Sequence, residues 1–266
     1  MRRTSDFWTE NDDLIDTLTQ QYSSYRNVDK SSITSWLNQF NSDEDATVGL
    51  KLLENLNFYP QNRIHSLFRT LKATLDGQFK GANFYYCGFG HPGTSGDSML
   101  HEFRIANPLT ESIHNDSFIH MSDIASLDGP EEKIVIMIDD VCGSGKQARA
   151  ILKNILETVP PNVKLVFCPL IIPLETSNTL KDEFEILIIS PSILEEKDKF
   201  FSAENTLFEI EEKATILRYC RRATSRPRGF GNTEMTVLIV RNIPNNTISI
   251  LRANTRRWKG LFKRNS

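Results

Sequence analysis

The sequence predicts an α/β fold: a parallel sheet flanked by helices, with an N-terminal helical region before it and a small C-terminal β-hairpin extension after it. Three observations carry that prediction. Lys133–Ile138 is an almost continuous apolar run, the pattern of a central parallel strand buried on both faces. Such runs alternate with segments of helical period between Asn83 and Ile189, as strand–helix–strand crossovers do. Between residues 6 and 80 the apolar residues recur at helical spacing and no strand pattern appears.

The elements follow in order. Ser42, with Asp45 three positions on, resembles a capping box, and Val48, Leu52, Leu53 and Leu56 follow at helical spacing. Pro60 stops that helix or opens the next, which carries Ile64, Leu67, Phe68, Leu71 and Leu75 and ends at Gly77. Asn83–Gly88 reads as a short strand, Gly90–Gly96 as a glycine-rich loop and Asp97–Ile105 as a helix. After a turn at Gly129–Pro130 comes the Lys133–Ile138 strand. Ala148–Val159 is a helix with Ile151, Leu152, Ile155 and Leu156 on one face, closed by Pro160 and Pro161. Val163–Ile172 and Glu185–Ile189 read as further strands, and Ser202–Arg222 as a long helix. Thr236–Val240 and Thr247–Leu251 read as two strands joined in a hairpin through Ile243–Asn246. No Pro/Gly/Ser-rich linker follows the first helices, so residues 1–80 are expected to pack on a core domain spanning 81–266.

The 266 residues are 39% hydrophobic and 24% charged, enough for a full core; this excludes a disordered chain and a disulfide miniprotein. No apolar run approaches the roughly 20 residues of a membrane span. Arg2 and Arg3 are followed by polar and acidic residues, so no signal peptide is expected. Cys87, Cys142, Cys168 and Cys220 are scattered and form no CxxC, which predicts reduced thiols, a cytoplasmic protein and no zinc site. The five histidines show no ligand spacing, and His91 is the one that falls in the glycine-rich loop.

The net charge of −3 hides an asymmetry: residues 214–266 hold 12 cations and one acid, Glu234. A basic segment this dense points to phosphate or nucleic acid, or to docking on an acidic surface of the same protein or a partner. No signature of sequence-specific nucleic-acid reading accompanies it.

The segment that carries chemistry is Ile134–Gln147. An apolar strand ends in Asp139 and Asp140; Gly143-Ser144-Gly145 turns the chain, and Lys146 and Gln147 open a helix. Ligands of open α/β sheets bind outside the carboxyl ends of the strands. Backbone N–H groups of such a turn and of the helix start suit a phosphate, whereas the carboxylates repel one and suit hydroxyl donors or a hydrated Mg²⁺. A diol and a phosphate held on one loop describe a ribose 5-phosphate. A P-loop does not fit, because Asp140 stands at its first glycine and Gln147 at its Ser/Thr. A G-x-S-x-G hydrolase elbow is absent. A strand–turn–helix in which Asp140 or Ser144 merely caps is the structural alternative, opposed by the expense of placing two acids at the end of a buried strand.

This segment resembles the ribose-phosphate loop of type I phosphoribosyltransferases, in which an apolar strand and two acids precede a Thr-Gly-x-Thr turn. The resemblance implies that Asp139 and Asp140 contact the ribose hydroxyls and that Gly143, Ser144, Gly145, Lys146 and Gln147 cradle the 5-phosphate. Lys146 and Gln147 depart from the commonest small residue and Thr. Within that superfamily, Trp36-Leu37-Asn38-Gln39-Phe40, Leu52–Leu56, Gly229-Phe230-Gly231-Asn232 and Asn242–Thr247, with Trp258 and Arg264, resemble the phosphoribosyltransferase-like (PRTase-CE) branch of bacterial conflict and antiphage systems. The resemblance implies a Rossmann-like parallel sheet and a glycine-rich loop whose Thr94, Ser95 and Gly96 wrap a pyrophosphate with Mg²⁺. Asp97 would cap the following helix, and Arg104 lies within reach of the same anion.

Two functions are therefore expected of the chain. One is transfer or cleavage at ribose C1 of phosphoribosyl diphosphate or a nucleotide, as effector of a defence system. The other is a non-catalytic nucleotide sensor, or a module that binds nucleic acid or a partner protein through residues 214–266.

Overall fold

The structure, a computed structural model, describes residues 3–25, 28–240 and 242–263. Arg2 and Arg264 of the sequence reading, and Arg241 among the cations of residues 214–266, lie outside them. In chain order the elements are α1 (Ser5–Gln21), α2 (Lys30–Leu37), α3 (Asp43–Glu54), β1 (Asn57–Tyr59), α4 (Gln61–Gln78), β2 (Asn83–Gly88), α5 (Ser95–Ala106), β3 (Lys133–Val141), α6 (Lys146–Leu156), β4 (Val163–Pro173), α7 (Leu174–Phe184), β5 (Leu187–Ile188), β6 (Ser192–Leu194), α8 (Ile210–Ala223), β7 (Val237–Ile239) and α9 (Ser249–Arg252). Two short 3₁₀ helices, Ser112–Ser117 and Met121–Ser126, lie between α5 and β3.

The chain forms two compact units, residues 61–195 and residues 1–60 with 196–266. This division differs from the expected 1–80 and 81–266. Helix α4 packs on α5 and touches β4, so it belongs with the sheet. The last 71 residues group instead with the first three helices.

The 61–195 unit is built on a parallel sheet in the order β2-β3-β4-β5, with β6 beside β4. Ile134–Ile138 are all buried because both faces of β3 are covered. Val135 and Met137 join Phe167, Leu152 and Leu180 in one core. Residues of opposite parity face α5, whose Phe103 sits 5.3 Å from Tyr86 and 5.6 Å from Phe68 of α4. Each such buried side chain contributes about 1.5–3 kcal/mol. Phe118 pairs with Tyr86 along the free edge of β2, and Ile124 then joins the core with Val135. The parallel register places Gly88 beside Ile138 and Asp139 beside Pro169, so the ends of β2, β3 and β4 lie side by side.

The other unit is held by aromatic rings. Trp36 and Trp258 are both buried and both donate an indole N–H to the Ile250 carbonyl, at 3.2 and 2.8 Å. Phe40 stacks edge-on against each of these indoles and leans on Tyr219.

Four sequence expectations change here. The hairpin does not form: β7 pairs in parallel with β1, and Ser249–Arg252 is a helical turn whose Ser249 hydroxyl donates to Cys220 O at 3.0 Å. Asn57–Tyr59 is a strand inside the stretch read as purely helical. Three residues paired with a segment 180 positions away leave no local periodicity to read. Helix α8 begins at Ile210 rather than Ser202, because Glu209 and Glu212 form a capping box there. Helix α4 runs through Gly77 to Gln78.

Candidate functional site

β3 carries its apolar run into the core and emerges at Asp139 and Asp140. Asp139 Oδ1 accepts from the Asp140 N–H at 2.9 Å and from the Ser95 hydroxyl at 3.2 Å. Asp140 Oδ1 accepts from the Val141 N–H at 2.7 Å. Asp139 is 8% exposed. Burial first, and then the neighbouring Asp140 charge, holds its carboxyl well above the usual range; burial raises Asp140 too. The adjacent pair therefore retains a proton more firmly than isolated acids do, and a ligand hydroxyl that donates to it offsets the lost hydration.

The turn after β3 is held from several sides. Cys142 N–H donates to Ile171 O at 3.0 Å. Thr176 of α7 donates its hydroxyl to Gly143 O at 2.7 Å. Gly145 has φ +69° at the start of α6, and a Cβ there would lie 3.0 Å from Thr176 Cγ2. No side chain caps α6, so its first N–H groups stay open to an anion. Lys146 and Gln147 are exposed at the same end. Burial pushes the Cys142 thiol up to about 12, which keeps it neutral and rules it out as a thiolate nucleophile near neutral pH.

The loop after β2 meets this turn. Phe89 N–H donates to Ile138 O at 2.7 Å, and Gly96 lies so close to Phe89 that a Cβ would approach its nitrogen to 2.6 Å. Gln147 Nε2 lies 3.8 Å from where a Cβ of Gly90 would sit. Thr94 turns its hydroxyl to His91 O at 2.7 Å. Thr94, not Asp97, is the N-cap of α5; Asp97 reaches back from the first turn and accepts the Gly93 N–H at 2.6 Å. His91 is exposed. Arg104 donates to Leu109 O at 2.8 Å and to Asn115 Oδ1 at 2.5 Å and stacks on Phe118, which engages it away from the loop.

The fold thus brings Asp139, Asp140, the 143–147 turn and Ser95 to one end of the sheet. Sequence reading missed Thr176, since α7 was not read as a helix, and missed the wall beside α6. A cavity of about 410 Å³ opens there, between the loop after β2, the Met121–Ser126 helix and the outer face of α6. Among the described residues no cluster of three His, Cys, Asp or Glu side chains is arranged to hold a metal ion.

A family model for PRTase-CE matches residues 33–264. The chain belongs to the PRTase-CE family. The match embraces the paired acids, the Gly143–Gly145 turn, the glycine-rich loop and the aromatic C-terminal part. No curated protein matches the chain. Among solved structures, orotate phosphoribosyltransferase from Francisella tularensis is similar over 65% of this chain and 83% of its own, at 13% identity and a TM-score of 0.34. In this PRTase-CE chain no described helix is long and apolar enough to cross a membrane.

Proposed function

We propose that this PRTase-CE protein binds a ribose 5-phosphate ligand at the end of β3 and breaks or forms the bond at ribose C1. One observation carries the reading: a buried and a half-buried carboxylate at a strand end lead within five residues into a left-handed glycine and an uncapped helix. Asp139 and Asp140 accept from the ribose hydroxyls. The N–H groups of residues 143–147, with the Lys146 ammonium, bind the 5-phosphate. The C1 substituent then faces the side of the loop after β2.

At C1 the leaving group departs with the bonding pair, and the incoming nucleophile gives up its proton. The ring carbon passes through an oxocarbenium-like state, and the nearby carboxylates stabilise that charge while fixing the sugar. Where the leaving group is pyrophosphate, a Mg²⁺ ion brought with that substrate would supply neutralisation of the departing charge, and the Thr94–Gly96 segment would lie beside it.

The sequence resemblance to conflict systems supports a role as an antiphage effector, and four buried free cysteines support a cytoplasmic setting. The basic segment supports nucleic acid as partner. Arg218 pairs with Asp45 at 2.7 Å and Arg228 with Glu234, but Arg221, Arg222, Arg226, Arg256 and Arg257 have no carboxylate partner among the described residues. Arg222 donates to Gln39 O at 3.4 Å, and Gln39 clasps the backbone of Lys259. The end of α8 and the 255–259 turn are therefore neighbours in one cationic surface.

Calorimetric titration with ribose 5-phosphate, and with phosphoribosyl diphosphate plus Mg²⁺, tests the reading. Wild type is expected to bind, and Asp139→Asn/Asp140→Asn to lose at least tenfold in affinity. Equal binding by the double variant overturns it.

A further inference from the structure

We propose that the cavity beside α6 is a base pocket, and that the ligand of this site is a nucleoside 5′-monophosphate rather than phosphoribosyl diphosphate. The proposal rests on the ribose 5-phosphate reading and decides what stands at C1.

The first observation is Asp97. Its carboxylate accepts the Gly93 N–H at 2.6 Å, so an acid of this chain occupies the donor that a pyrophosphate would use. A second anion there meets like-charge repulsion. Thr94 likewise turns its hydroxyl to His91 O, and Ser95 turns its own to Asp139. The loop's hydroxyls are engaged with the protein, and a neutral group at C1 disturbs none of these contacts.

The second observation is the cavity, whose volume of about 410 Å³ falls within the range of small-molecule sites. Gly88 at the end of β2 and Gly90 of the loop that follows are part of its lining. Its apolar walls are Met121 and Ile124 on one side and Ile151 on the other, suited to the faces of a flat ring. His91, Ser122 and Asn154 supply polar edges. The lining contains no lysine or arginine, and its one carboxylate is Asp97. Such a pocket selects against an acidic substituent and accepts a neutral heterocycle that donates N–H groups.

The third observation joins the two sites. Ala150, Ile151, Asn154 and Ile155 line the cavity at helical spacing along α6. Gln147 lies near Gly90 at the top of that stripe. A phosphate at the start of α6 and a ring farther down its flank therefore share one helix, as the two ends of one nucleotide.

The test is calorimetry with three probes: ribose 5-phosphate, adenosine 5′-monophosphate, and phosphoribosyl diphosphate with Mg²⁺. The expected result is adenosine 5′-monophosphate binding at least tenfold tighter than ribose 5-phosphate and tighter than the diphosphate. Ala150→Phe, which fills the groove from an exposed helix position, is expected to lower nucleotide affinity to that of ribose 5-phosphate on wild type. Circular dichroism checks its fold, and Asn154→Ala, expected to lose about threefold, serves if it fails. A nucleotide that binds no tighter than ribose 5-phosphate, or is unaffected by both variants, overturns the base pocket. Tighter binding of the diphosphate overturns it too and leaves the ribose 5-phosphate reading standing. Binding of none of the three overturns that reading itself.

Discussion

The Ser95 hydroxyl donates to Asp139 Oδ1 across 3.2 Å and so ties the loop after β2 to the end of β3. The bond fixes one oxygen of the carboxylate before a ligand arrives. Ser95→Ala removes it without altering the apolar core. A hydrogen bond to a charged group is worth roughly 1.5–3 kcal/mol, so ribose 5-phosphate affinity is expected to fall about tenfold or more, with an unchanged far-ultraviolet spectrum. Unaltered affinity would show that Asp139 needs no such support.

The raised Asp139 carboxyl makes a signed pH prediction. Burial, then the Asp140 charge, keeps it protonated in the folded state at pH values where the unfolded carboxyl, with a pKa of about 3.9, has already released its proton. The folded state then holds more protons than the unfolded one, so this group's contribution to stability falls as pH rises through that window. Asp139→Asn removes the dependence and keeps an oxygen for the Asp140 N–H. Its melting temperature, relative to wild type, is expected to increase with pH while ligand binding is lost. A constant difference across pH would contradict the buried-carboxyl account.

Gly145 combines a φ of +69° with a would-be Cβ 3.0 Å from Thr176 Cγ2. Gly145→Ala is expected to cost about 1–3 kcal/mol from the backbone alone, and more from the clash. Adding Thr176→Ser deletes the methyl yet keeps the hydroxyl that holds Gly143 O. The double variant should recover part of the lost stability in urea denaturation. No recovery would assign the whole effect to the backbone.

Trp258 is the centre of the aromatic cluster with Trp36, Phe40 and Tyr219. Trp258→Ala is expected to destabilise its unit by about 3–5 kcal/mol. Loss of near-ultraviolet dichroism at lower temperature checks it.

If Arg221, Arg222, Arg256 and Arg257 meet phosphates, the affinity for single-stranded DNA falls linearly on a log–log plot against salt, with a slope of about −0.7 for each phosphate contact. Changing Arg256 and Arg257 to Gln should flatten the slope by about 1.4. A salt-independent interaction would assign the surface to another partner.

Much of this protein is legible in its residue order. Ile134–Ile138 announces a doubly covered strand because every position is apolar. Ser42 and Asp45 announce a helix start, and the Ser42 hydroxyl indeed accepts the Asp45 N–H at 3.2 Å. Asp139, Asp140 and Gly143–Gly145 stand out because acids and glycines at the end of such a strand have no packing role. These signals are local: each depends on neighbours within a turn or a strand length.

The tertiary structure alone decided the rest. Pairing of β1 with β7 joins residues 57–59 to 237–239, and the last segment belongs with the first helices because Trp36 and Trp258 share the Ile250 carbonyl. Asp97 reads equally well as a helix cap until the fold shows it on the Gly93 N–H. Ser95 reaches Asp139 only because β2 and β3 are adjacent and in register. Composition and periodicity fix which surfaces are buried; which buried surfaces meet is set by chain closure over long separations, and that information resides in no single stretch of sequence.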